Sequence, residues 1–148
     1  MVLGASAAHA NTSVRAAVIA QVAPGYHLND NHPTLDYLIP TEVKLEAPKG
    51  LSVERVVYPK GQPRRFAFSD LPLSVYEGTF GVGVVLQVGR KVLPGVYTLQ
   101  GNFAYQACND HACLPPTSVP LTLTVKVVPR RVALKSVNAD ELSRIKFE

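Results

Sequence analysis

Apolar and polar side chains alternate with a period of two along most of this chain. In Thr12–Ala23 the residues Val14, Ala16, Val18, Ala20 and Val22 share one side, which predicts a strand, and Pro24-Gly25 ends it. Val43–Ala47 alternates again before Pro48-Lys49-Gly50 turns the chain, and Leu51–Tyr58 is rich in β-branched residues. Leu121–Val128 sets Leu121, Leu123, Val125 and Val127 against Thr122, Thr124 and Lys126. This segment is the predicted partner of a strand over Val96–Cys108, which Pro94-Gly95 precedes. Val75–Val88 is a longer apolar run containing Gly78, Gly81 and Gly83. Glycines inside a strand predict a bend, a bulge or a change of sheet. Tyr26–Pro40, with its turn-forming Asn29-Asp30-Asn31-His32-Pro33, and Pro59–Arg65 read as polar connections.

Roughly seven short strands separated by Pro/Gly turns predict an all-β sandwich. Only the end looks helical. Asn138-Ala139-Asp140-Glu141 has the form of a capping box, with Leu142 and Ile145 following at helical spacing. The predicted organisation is one domain over residues 11–130 and a tail over 131–148 whose short helix is either packed on the sandwich or loose. Met1–Ala10 ends in Ala8-His9-Ala10, the small-residue pattern of an export cleavage site, and reads as a signal-peptide remnant or a flexible terminus. No run approaches the ~18 apolar residues of a membrane span. Gly81-Val82-Gly83 is not a phosphate loop, because no helix-forming segment follows it.

The chain has 148 residues, of which 47% are hydrophobic and 18% charged, enough for a packed core. The net charge is +4, with part of the excess in Lys126, Arg130, Arg131, Lys135, Arg144 and Lys146. Tyr and Phe are not interleaved with these charges, which argues against a nucleic-acid face.

The chemistry lies in Tyr105-Gln106-Ala107-Cys108-Asn109-Asp110-His111-Ala112-Cys113-Leu114-Pro115-Pro116. The two cysteines flank four turn-forming residues. If the flanks are antiparallel strands, Cys108 and Cys113 lie opposite each other with Cα atoms roughly 4.5–5.5 Å apart, within reach of a disulfide. Closing so small a loop stabilises a fold by about 2 kcal/mol, against more than about 4 for a loop spanning most of a domain. Spacing alone leaves three readings: a redox pair, a minor structural disulfide, and a metal site. Cys108, His111 and Cys113 give at most three soft ligands, whereas structural zinc takes four; His9, His27 or His32 would have to be recruited by the fold, and copper(I) accepts fewer. His111 is otherwise a solvated turn residue, or a cation that lowers the pKa of a neighbouring thiol.

The Tyr105-Gln106-Ala107-Cys108 and Cys113-Leu114-Pro115-Pro116 segments, followed by an alternating strand, resemble the N-terminal periplasmic domain of the thiol:disulfide interchange protein DsbD. The resemblance runs from about Val14 to Val128. It includes Pro24-Gly25-Tyr26-His27-Leu28-Asn29, Leu38-Ile39-Pro40-Thr41 and Leu73-Ser74-Val75-Tyr76-Glu77-Gly78. It implies an immunoglobulin-like β-sandwich in the periplasm, with Cys108 and Cys113 as a redox pair. That pair would take reducing equivalents from a transmembrane partner domain and pass them to thioredoxin-like proteins, such as disulfide isomerases and cytochrome c maturation factors. Neither a metal nor an organic cofactor is required. The full family architecture carries membrane and thioredoxin-like domains after this one, which implies an excised domain or a free-standing relative.

The resemblance also implies a cap loop, at about Phe66–Tyr76. Phe68 is the first candidate shield, with Phe66 and Tyr76 behind it, and core packing is the competing reading of each. Tyr26, His27, Asn29, Tyr105 and His111 are the expected neighbours of the cysteines. The sequence departs from the family where His27 and Asn29 replace tyrosines and where Arg64 and Arg65 replace an acidic pair, leaving Asp70 and Glu77 as the nearby acids. The four-residue gap between the cysteines is also shorter than in the family's best-known member. The competing function is a periplasmic binding or assembly module with a structural disulfide.

Overall fold

The computed structural model describes residues 1–147. Eleven strands and one short helix follow one another as β1 (Val2–Leu3), β2 (Thr12–Gln21), β3 (His27–Asn29), β4 (Glu42–Glu46), β5 (Leu51–Val57), β6 (Gln62–Arg64), β7 (Leu73–Tyr76), β8 (Thr79–Val88), β9 (Gly95–Tyr105), β10 (Ala107–Cys108), β11 (Thr117–Val127) and α1 (Ala139–Ser143). All strand pairings are antiparallel. One sheet has the order β1-β2-β8-β5 and a second the order β11-β9-β4. Between them lies the main core, which includes Val14, Ala16 and Val18 of β2, Val82, Val84 and Leu86 of β8, Leu99 and Phe103 of β9, and Leu121, Leu123 and Val125 of β11. These are the alternating positions of the sequence pattern, so the immunoglobulin-like sandwich follows from one apolar face per strand.

The apolar run Val75–Val88 is two strands in two sheets. Gly78 separates them with φ +64°, a left-handed conformation that costs glycine least. β7 joins a third sheet, ordered β10-β3-β7-β6, while β8 continues into the first. Gly81 and Gly83 serve a different purpose from the bend or bulge read in the sequence. A Cβ on Gly83 would lie 2.7 Å from Ile145 and from Phe147, so these glycines make room for the C-terminal segment. The irregularity falls on the neighbouring β5, between Val53 and Arg55.

This second covering layer explains why β8 is buried on both faces. Ala17, Val85, Ile145 and Phe147 form a small core outside the first sheet, with Arg15 stacked 4.7 Å from the Phe147 ring. The terminal helix forms as expected, but its capping box does not. Asn138 adopts φ 55° without a side-chain cap, and its amide instead donates to the Leu3 carbonyl at 2.8 Å. Residues Met1–Ala10 depart from a loose terminus. β1 pairs with β2, Ala7 and Ala8 are buried, and Ala8 bridges Val127. Two further strands, β3 and β6, arise in segments whose sequence reads as polar connection. Among the described residues no helix is long and apolar enough to cross a membrane.

Phe147→Ala should empty the small core between tail and sheet. The expected cost is about 3 kcal/mol, read as a lowered urea midpoint with an unchanged slope.

Candidate functional site

The third sheet grows from the ends of the other two. β7 leads into β8, and β10 follows β9 after the single residue Gln106. Its shortest strand, β10, holds the first cysteine. β10 is a strand because β3 accepts it as a neighbour, with Ala107 opposite Leu28 and Cys108 opposite His27. On its other side Cys108 meets Cys113 across a tight hairpin. Asn109 builds the turn. Its side-chain oxygen accepts from the backbone N–H groups of His111 and Ala112, both at 2.8 Å, and its own N–H donates to the Ala112 carbonyl at 2.9 Å. The Leu114 N–H closes the hairpin on the Ala107 carbonyl at 2.8 Å. The two sulfurs are bonded, and the Cα atoms are 4.0 Å apart, closer than the antiparallel spacing expected from the sequence.

The two cysteines differ sharply in surroundings. Cys108 is 2% exposed, whereas Cys113 is an exposed residue of the hairpin's outer arm. A cavity of about 290 Å³ contains both, lined also by His27, Asn29, Tyr37, Leu38, Phe68, Leu73, Asn109 and His111. Thus Phe68, His27, Asn29 and His111 come together with the sulfurs. The Phe68 ring is 53% exposed. It stacks on Phe66 at 5.4 Å, and Phe66 in turn lies 4.5 Å from the His27 ring. Phe66 therefore joins the loop between β6 and β7 to the strand behind the cysteines. Among the described residues no group of three or more His, Cys, Asp or Glu side chains is arranged to hold a metal ion.

One candidate shield, Tyr76, and two expected neighbours, Tyr26 and Tyr105, do not line this cavity. Tyr76 does not cover the cysteines. It is 3% exposed, packs on Phe80 at 4.8 Å, and donates its hydroxyl to Asn31 at 2.9 Å and Asp30 at 3.2 Å. Its alternation in β7 turns it inward, and burial, joined by the Asp30 carboxylate, pushes its phenol above the usual 10. Tyr26 and Tyr105 line a separate apolar groove of about 540 Å³, with Ala107, Leu114 and Val119.

Tyr37 and Leu38 are cavity residues that sequence reasoning missed. They arrive because the buried Asn29 gathers the loop after β3. Its amide donates to the Ile39 carbonyl at 2.9 Å, while Thr41 donates to the Asn29 carbonyl at 2.6 Å. Asp30 fixes the loop's other end, accepting from the Ser74 hydroxyl at 2.6 Å. No periodic signal marks Tyr37; only its aromatic ring amid polar residues, 72% exposed in the structure, could have drawn notice.

His27 is the buried titratable group of the site, 3% exposed. Burial lowers its pKa below the usual 6.5 and Arg64 acts in the same direction; Glu77 and Asp110 oppose them without prevailing. The unfolded chain therefore binds a proton at His27 more readily than the folded one. The stabilisation is fully present above pH 6.5 and is lost as pH falls through the folded-state value. Urea unfolding should show a larger loss of stability between pH 7.5 and pH 5 in the wild type than in His27→Phe, which carries no imidazole.

The description "Thiol:disulfide interchange protein DsbD, N-terminal" belongs to a family whose profile matches residues 2–124. Among solved structures, the N-terminal periplasmic domain of ScsB from Proteus mirabilis superposes with a TM-score of 0.55 at 18% identity, over 80% of this chain and 44% of that one. The present chain thus spans less than half of that protein's solved length, and the likeness is one of fold. No curated protein matches.

Proposed function

This chain belongs to the family of the N-terminal domain of the thiol:disulfide interchange protein DsbD, and from that footing we propose that it is a periplasmic electron relay working through Cys108 and Cys113. The observation that carries the proposal is the asymmetry of the pair: one sulfur-bearing residue sealed on β10, the other on the exposed arm of the same hairpin. Thiol–disulfide exchange needs one reachable sulfur to meet the partner and one held close to resolve the intermediate.

In the reduced domain the Cys113 thiolate attacks the disulfide of a thioredoxin-like protein. A Cys113–partner bond forms, and the partner's own disulfide breaks, leaving a thiolate there. Cys108 then attacks Cys113, the partner leaves with both its cysteines reduced, and this domain is left oxidised. A donor of the transmembrane DsbD type would reverse these steps and recharge the pair. A cap loop carrying Phe68 on Phe66 would cover the sulfurs between encounters and limit overoxidation.

A structural staple is the weaker reading for this disulfide. It joins residues five apart in sequence, so it removes little entropy from the unfolded chain.

Cys108→Ser should trap a mixed disulfide between Cys113 and an oxidised thioredoxin-like protein with a Cys-x-x-Cys pair. Cys113→Ser, left with the sealed thiol, should trap roughly ten-fold less, because the buried sulfur is out of reach. Both variants should keep the wild-type circular dichroism spectrum. If neither traps a partner, and the wild-type pair titrates below about −300 mV, the disulfide is structural and the relay reading is wrong.

Phe68→Ala tests the cap. Losing a stacking contact of about 1 kcal/mol should speed reduction of the disulfide by dithiothreitol roughly five-fold, measured by thiol release under pseudo-first-order conditions.

A further inference from the structure

We propose that His27 is the proton acceptor for the buried Cys108 thiol in the resolving step, passing that proton to the charged cleft on the imidazole's other side. The inference rests on the exchange reading above and assigns the residue that makes its second step possible.

Two placements carry it. First, His27 and Cys108 are direct register partners on adjacent antiparallel strands, so their side chains leave the same face of the sheet. Both line the cavity that holds the two sulfurs. Second, His27 also lines a separate cleft of about 560 Å³ with Tyr26, Arg64, Arg65, Phe66, Glu77 and Asp110. The imidazole is thus the residue shared by the cysteine cavity and the charged cleft. Cys108, 2% exposed, has little direct access to water. A thiol must lose its proton to attack, and a buried thiol holds that proton more tightly.

The titratable and charged groups facing His27 come from every neighbouring element. Cys108, Asp110 and His111 belong to β10 and its hairpin, Glu77 to the β7–β8 junction, Arg64 to β6 and Arg65 to the segment after it. Tyr37 faces the cysteine cavity from the loop after β3, and Tyr26 precedes His27 on its own side. Among these, burial dominates the imidazole and keeps it neutral near pH 7, the form that accepts a proton.

The Cys108 proton moves to an imidazole nitrogen of His27 as the Cys108 sulfur attacks Cys113. The Cys108–Cys113 bond forms, the Cys113–partner bond breaks, and the partner's sulfur leaves with the electron pair. His27 returns its proton to water in the outer cleft, and the departing thiolate takes one up from water. In the reverse direction the protonated His27 supplies the proton that Cys108 needs as leaving group.

The test uses the full chain, reduced and mixed with excess Ellman's reagent. The first equivalent of coloured thiolate reports attack by Cys113, and the second reports closure by Cys108. The second phase should be absent in Cys108→Ser. In the wild type its rate should show an inflection below pH 6.5, from His27, in addition to the rise from the thiol. His27→Gln should lose that inflection and slow the second phase at pH 7 by about ten-fold or more, while the first phase changes little. His27→Phe keeps a ring against Phe66 and should behave like His27→Gln, which separates proton transfer from packing. Equal second-phase rates and pH profiles in wild type and both variants overturn the role of His27 and leave the exchange reading intact. Absence of a second phase in the wild type overturns both.

Discussion

The site depends on one short stretch of backbone pairing. β10 is two residues long and is held by β3, with Cys108 set against His27 on one side and against Cys113 on the other. A two-residue strand has no stability of its own. It persists because the hairpin turn is closed by the Asn109 side chain, and because β3 is itself pinned by the buried Asn29 and by β7. Remove the β3 contact and the first sulfur would no longer sit in a fixed, covered position. The inequality of the two cysteines rests on that pairing.

The rest of the fold supplies rigidity where the site needs it. The main sandwich gives β9 and β11 an eleven-rung ladder, from Gly95–Val127 to Tyr105–Thr117. Its Tyr105–Thr117 end hands the chain to the cysteine hairpin, so the hairpin projects from the most regular part of the molecule. The opposing wall is less constrained. Phe68 and Leu71 belong to the connection between β6 and β7 and are exposed. Phe66 ties that connection down by its contact with His27.

The electrostatics of the site are also shared between parts distant in sequence. His27 feels Arg64 from β6, Glu77 from the end of β7 and Asp110 from the hairpin. Arg64 and Glu77, which both line the outer cleft, form an ion pair in which the Arg64 side chain is exposed and that of Glu77 half-buried. A pair open to solvent adds little stability. Burial is the dominant influence on His27, and among the charges Glu77 acts most strongly and Arg64 least.

Alternation in β2, β9 and β11 determined the sandwich, because a period of two can bury only one face and two such faces must meet. The cysteine spacing likewise determined that a hairpin could close a disulfide, since opposed residues in antiparallel strands lie within bonding reach. Tertiary structure alone decided which neighbours surround it. β3 and β6 are three residues each, too short for a periodic signal, and exist only because β7 and β10 lie beside them. The arrival of Tyr37 depends on a loop folded by side-chain hydrogen bonds across ten or more residues. The tail shows the same limit. Gly81 and Gly83 carry no local sign that Ile145 and Phe147 will fill the space their missing side chains leave, because clearance is a property of two surfaces and the sequence displays each one alone.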